Sequence, residues 1–221
     1  MSKFPMIFLA SALFLGIGSA LATDSQATGA SDALRLFTQC DASLFKALKE
    51  NKTLLGPSVI VQNQGTAATI KVANPLAENG QEQLFTNPLE INGIQLISWH
   101  NEVLYEEHLG GFLFWGFKAN GTPQTIAEKL NAILTTPQKL EKTGDTWARA
   151  EIHVIGDPLG SWRPNRASAG IPTPKGSVER VLLLESEAPG QTSIFCSLQG
   201  SLTPPLIQLM RPDLTTAEYP Q

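Results

Sequence analysis

Residues 94–119, IQLISWHNEVLYEEHLGGFLFWGFKA, carry the strongest strand signal in the chain and decide its fold class. Ile94 and Leu96 alternate with Gln95, and the apolar set then moves to Trp99, Val103 and Tyr105, one residue out of phase. Side chains alternate faces along a strand, so this shift predicts a bulge near Ser98. Residues 108–111 read as the turn. The second strand, 112–117, is apolar on both faces, which predicts a central strand covered by helix on at least one side. Gly116 inside it marks a bulge or a close approach by another group.

Towards the C-terminus the period changes at Asn120-Gly121-Thr122-Pro123, with Thr122 as N-cap and Pro123 at the first helical position. Ile126, Ala127, Leu130, Ile133 and Leu134 form the buried stripe of a helix within 122–135. Residues 147–155 return to period two. Ala148, Ala150, Ile152 and Val154 share one face, and Trp147, Arg149, Glu151 and His153 the other, so one face is core and the other wet. Residues 156–176 are too rich in Pro and Gly for regular structure and long for a passive connection. A last hairpin spans 178–185 and 192–198, turned through Ala188, Pro189, Gly190 and Gln191. The tail, 203–221, contains Pro204, Pro205, Pro212 and Pro220 and reads as a covering segment or a loose end.

Towards the N-terminus, 74–88 has loop composition. The β-branched runs 59–61 and 69–72 read as a hairpin around Gly65. Ser31 or Asp32 can cap a short helix bearing Leu34, Leu36 and Phe37, and Asp41 a second bearing Leu44, Phe45 and Leu48. Residues 23–30 form a Ser, Thr, Gly and Ala leader, expected to be flexible. Residues 1–22 read as an export signal: Lys3 is the only charge, an apolar run spans 6–17, and Ala20-Leu21-Ala22 supplies a cleavage site. An apolar run of about 12 residues is short of the ~20 needed to span a bilayer, so no stable membrane insertion is expected after cleavage.

Of 221 residues, 42% are hydrophobic and 16% charged, a globular composition. Lys3 is one of 16 basic residues against 20 acidic ones, so losing the leader takes the net charge from −4 to −5. That sign argues against nucleic acid as a partner. Cys40 and Cys196 are the only cysteines, and in an oxidising compartment they are expected to pair. The chain-entropy model credits a loop of this length with roughly 4–5 kcal/mol.

Chemistry is less legible. His100, His108 and His153 show no zinc-ligand spacing, so no metal or cofactor is assigned. Gly-x-Ser-x-Gly does not occur in the mature chain, leaving Ser161 or Ser168 as serines that would need a distant base. The residues best suited to binding are Trp147, Arg149, Glu151 and His153 with Trp162, Arg163 and Arg166 in the following loop. Trp brings contact area and Arg multidentate hydrogen bonding to interface hot spots. The competing reading has Trp147 and Trp162 closing the rim of the core and Arg149 paired to Glu151 or a nearby acid.

The expected fold is α+β: a mainly antiparallel sheet with helices near 32–50 and 122–135 packed on one side, one disulfide, and a single domain over 31–202. The expected function is a periplasmic or secreted, non-catalytic binding protein, of inhibitor or immunity type, that acts on a protein or envelope ligand. The alternatives are an exported hydrolase with an acid/base site among His100, Glu102 and His153, and a structural envelope component.

Overall fold

Leu96 pairs with Ala119 and Ser98 with Lys118, so Ile97 is the extra residue that the change of phase demands. The computed structural model describes residues 20–166 and 171–220. Its helices are α1 (Ala20–Phe37), α2 (Ser43–Glu50), α3 (Pro123–Ile133) and α4 (Pro204–Met210). Its strands are β1 (Val61–Gln64), β2 (Ala67–Ile70), β3 (Gln81–Ile91), β4 (Ile94–Glu106), β5 (Gly110–Asn120), β6 (Glu141–Thr143), β7 (Thr146–Val154), β8 (Arg163–Asn165), β9 (Ser177–Ala188) and β10 (Gln191–Gly200). β1 and β2 form a separate hairpin. The others make one antiparallel sheet in the order β3, β4, β5, β10, β9, β7, β6, with β8 added beside β7. The fold is α+β, and β5 is central as its two apolar faces require.

Register sorts the side chains of the sheet. Trp115, Cys196, Leu182 and Arg149 lie in one row across β5, β10, β9 and β7, and Phe117, Ile194, Leu184 and Trp147 in the next. This is the covered face. Trp99 and Phe37 meet Phe117 edge to face at 4.9 and 5.0 Å, pairs worth about 0.5–1.5 kcal/mol each beyond their burial. Leu44, Phe45 and Leu48 of α2 and Ile126, Ala127 and Leu130 of α3 fill the layer above. Thr122 caps α3 by accepting the Thr125 N–H at 3.3 Å. Cys40 and Cys196 are disulfide-bonded, tying the turn between α1 and α2 to the central strand β10.

Several expectations give way. Residues 74–88 are not simply loop: β3 starts at Gln81 and pairs with β4 through a two-residue turn, Asn92-Gly93, where both φ angles are positive, 52° and 73°. Asn-Gly between Ile91 and Ile94 is the strongest short-range hairpin signal available. Pro88 masked it, and Pro88 is tolerated because β3 is an edge strand whose register breaks between Leu84 and Leu89. The leader, 23–30, lies inside α1, which begins at Ala20; the rest of the expected export signal, 1–19, lies outside the described residues. The loop 156–176 holds the short strand β8, formed because Asn165, Pro164 and Arg163 pair with Ala150, Glu151 and Ile152 at the sheet edge. Leu206, Ile207 and Met210 of α4 are buried, so the tail is a covering segment.

Gln83 shows how the small hairpin is held. Its Oε1 accepts the Ile60 N–H at 2.8 Å, and its Nε2 donates to the Ile60 and Lys71 carbonyls at 3.2 and 2.8 Å. One side-chain amide thus bonds three backbone groups at the open end of the hairpin, where the Ile60 carbonyl also accepts the Lys71 N–H at 2.9 Å.

Beyond α4, Arg211 and Asp213 are buried at 0% and 1% exposure. Asp213 accepts from Arg211 Nε and Nη2 at 2.8 and 2.9 Å, and from the Thr69 hydroxyl at 3.2 Å. Arg211 Nη2 also donates to Asn101 Oδ1 at 3.2 Å. The guanidinium carbon sits 4.5 Å from the Trp115 ring centre and 4.7 Å from that of Phe45. Aromatic faces supply part of the attraction that water supplied in the unfolded chain.

Candidate binding cleft

β7 and β9 bring Glu151 opposite Arg180 on the covered face, near the sheet end where the loop after β7 returns. Arg180 Nε and Nη2 donate to Glu151 Oε2 at 3.1 and 2.7 Å. The guanidinium carbon of Arg180 lies 4.6 Å over the Trp162 ring, so one arginine fixes a carboxylate and an indole together. His153 sets the loop from behind. Its Nδ1 is 3.0 Å from the Ser161 carbonyl, which can only accept, so Nδ1 carries a proton; its ring centre is 5.5 Å from that of Trp162.

In front of these groups opens a cleft of about 460 Å3, lined by Asp41 and Lys46 from the α1–α2 region, Glu151, Arg180, Trp162 and Met210. Its volume falls in the range of small-ligand sites, about 300–1,000 Å3. Four elements, α2, β7, β9 and α4, and two loops contribute. Charges of both signs face one another across it, beside an indole and a thioether. Asp41 is held in place by accepting the Ser43 N–H at 2.8 Å, but it is not the cap expected of it: Ala42 is the N-cap of α2, and the Asp41 bond closes the turn before it.

The seven residues singled out in the sequence are divided. Glu151 and Trp162 line the cleft, and His153 supports Trp162 from a site only 1% exposed. Arg149 is not available to a ligand: Nη2 donates to the Thr38 carbonyl at 2.6 Å and Nη1 to the Gln138 carbonyl at 3.0 Å, stapling the end of α1 and the turn after α3 to the sheet. Burial draws its pKa below the ordinary arginine value, Arg180 adds to the effect, and Glu151 and Asp41 oppose it. Trp147 packs against the core, and Arg149 Nε lies 3.9 Å from Glu151. Arg163 is exposed on β8 with Asp157 at 3.4 Å, and Arg166 is exposed; neither lines the cleft.

The wet face of β7 is assigned the other way round. Trp147, Arg149, Glu151 and His153 turn toward the helices, and Ala148, Ala150 and Ile152 toward the uncovered side, because their partners on β9 fix the phase. Arg180, Lys46 and Met210 were missed. Arg180 had a signal: it interrupts the apolar row Val178, Leu182, Leu184, and a charge in a core row needs a partner on the adjacent strand.

His100 and Glu102 pair at 3.3 Å, but they lie on the uncovered face of β4 whereas His153 lies under the helices, so the three do not form one acid/base site. Ser161 meets His153 through its carbonyl, and Ser168 lies outside the described residues. Among the described residues no three His, Cys, Asp or Glu side chains are grouped to hold a metal ion, and no helix is long and apolar enough to cross a membrane.

Lys118 on the uncovered face lies between Glu82 and Glu187, the latter at 2.6 Å. Burial disfavours its charge, yet the hydrogen bonds and charges of Glu187 and Glu82 outweigh that and raise its pKa above 10.5. Burial likewise raises Tyr219 above 10.0. Both folded pKa values are raised, so the stability linked to these protons is complete below the ordinary values and is lost as pH rises through the folded ones. The melting temperature is expected to fall between pH 10 and 12, and Lys118→Met to make that fall shallower; equal slopes in thermal melts of the two proteins would contradict it.

No protein-family model matches the chain, and no curated protein matches it in sequence.

Proposed function

We propose that the protein is an exported, non-catalytic binding protein whose ligand or protein partner enters the cleft between Trp162, Arg180, Glu151 and Lys46. The arrangement that carries this reading is the Glu151–Arg180–Trp162 stack, an aromatic and an ion pair preorganised at the mouth of a cavity rather than ordered by the ligand. Export is supported by the leader composition of 1–22 and by the disulfide, which persists in the periplasm or outside the cell. An inhibitor or immunity-type role suits a rigid, cross-linked scaffold with a preformed recessed site.

The test is affinity capture with the oxidised protein from envelope and secreted fractions of its source, followed by titration of the captured partner against single variants. Trp162→Ala is expected to weaken binding about 30-fold, as loss of an interface hot spot does. Arg163→Ala, outside the cleft, is expected to leave it unchanged. Equal affinity for the wild-type protein and Trp162→Ala would remove the cleft as the site. Turnover of a substrate by the purified protein would replace the binding reading with an enzymatic one.

A further inference from the structure

The other face of the large sheet has no helix on it among the described residues. An antiparallel sheet can leave one face to water, but that face then carries polar side chains. Here it does not. Register places Phe112 and Phe114 of β5, Phe195 of β10, and Val181 and Leu183 of β9 on it, all half-buried. Phe112 and Phe114 stack with ring centres 6.1 Å apart. Phe195 lies across Gly116 and stacks on His100 at 5.1 Å. A Cβ on Gly116 would come within 2.1 Å of the Ile194 carbonyl oxygen and 2.9 Å of the Phe195 ring, so the glycine is what lets that ring lie flat.

Charge around this apolar strip is one-sided. Glu82, Glu102 and Glu106 stand along β3 and β4, and Glu185 and Glu187 at the end of β9. The one lysine among them, Lys118, is neutralised by Glu82 and Glu187. Glu185 has no cationic partner among the described residues, and burial and then Glu187 raise its pKa. A second copy of the chain, with a net charge of −4, would bring these acids against each other.

We propose that the strip between Phe112, Phe114 and Phe195 docks a cationic polypeptide segment, one that presents Lys or Arg beside apolar side chains. The apolar side chains cover the phenylalanines, and the cations meet Glu185, Glu106 and Glu102, giving register and a salt-dependent on-rate. This surface is separate from the cleft, which lies on the helix side of the sheet.

The test uses a short synthetic peptide alternating Lys and Leu, with a Glu and Leu peptide as control, titrated into the oxidised protein and followed by backbone amide NMR. Shifts are expected on β5, β9 and β10 around residues 112–114, 181–183 and 195, with the acidic peptide silent. Phe114→Ser is expected to weaken binding about tenfold. The double variant Glu185→Gln, Glu106→Gln, which leaves the apolar packing intact, is expected to weaken it about fivefold at low salt and to lose that difference at high salt. Absence of binding, equal binding of the acidic peptide, or full affinity in the double variant would overturn the proposal. So would shifts confined to Trp162 and Lys46, which would leave the cleft standing, or dimerisation of the chain over this face in sedimentation.

Discussion

Asp213→Leu is expected to lower unfolding stability by about 3–5 kcal/mol, the cost of leaving a buried charge without its counter-ion. Among the described residues the carboxylate is the only anion bonded to Arg211: Asn101 offers a neutral amide oxygen, and Phe45 and Trp115 offer ring faces. Thr69 would also lose one of the two acceptors of its hydroxyl, keeping the Ile70 carbonyl at 3.4 Å. The strained variant would shed the arginine toward water by releasing 211–214, and with it the cover over α2 and β5. Removing the whole pair is different in kind. The double variant Arg211→Met, Asp213→Leu keeps the volume, drops both desolvation penalties, and is expected to recover most of the loss. Urea unfolding of wild type and the two variants measures this. A double variant no more stable than Asp213→Leu alone would show that the pair is needed for hydrogen bonding to Asn101 and Thr69 rather than for charge balance.

Cys40→Ala, Cys196→Ala is expected to cost about 2–5 kcal/mol, toward the upper end because the cross-linked residues are 156 apart. In the unfolded chain the bond joins the start of the helical layer to β10 and removes much of the loop entropy that folding must otherwise overcome. Both cysteines are fully buried, so the alanines leave their surroundings in place apart from a small void. The midpoint in urea should fall, and the slope should steepen as the unlinked denatured chain expands. A loss below about 1 kcal/mol would mean that α1 and α2 hold their place on the sheet by packing alone.

Much of the scaffold was legible because its signals are local. The bulge at Ile97 follows from one change of phase between Leu96 and Trp99, α3 from Thr122-Pro123 and an apolar stripe, and the last hairpin from Pro189-Gly190 between two β-branched and apolar runs. β3 was missed because Pro88 and polar Gln81, Glu82 and Gln83 outweighed Asn92-Gly93, and α4 because its prolines at the first helical turn read as breakers rather than as starters. The candidate site was half legible. Glu151 and Trp162 are in it, while Arg149 and Arg163 resemble them in sequence and serve the fold and the sheet edge instead.

The sequence by itself determined the α+β class, the strand and helix periods, the pairing of two lone cysteines and the acidic balance, since each depends on residue type and on spacings of two to four. Only packing settles which face of β7 is covered, that Arg180 completes Glu151 and Trp162, that Arg211 and Asp213 close the core, and that no helix among the described residues lies over Phe112, Phe114 and Phe195. The physical reason is phase. A period of two divides a strand into two faces without naming the inner one, and only the register between strands distant in sequence, β7 with β9 and β5 with β10, settles which side the helices cover.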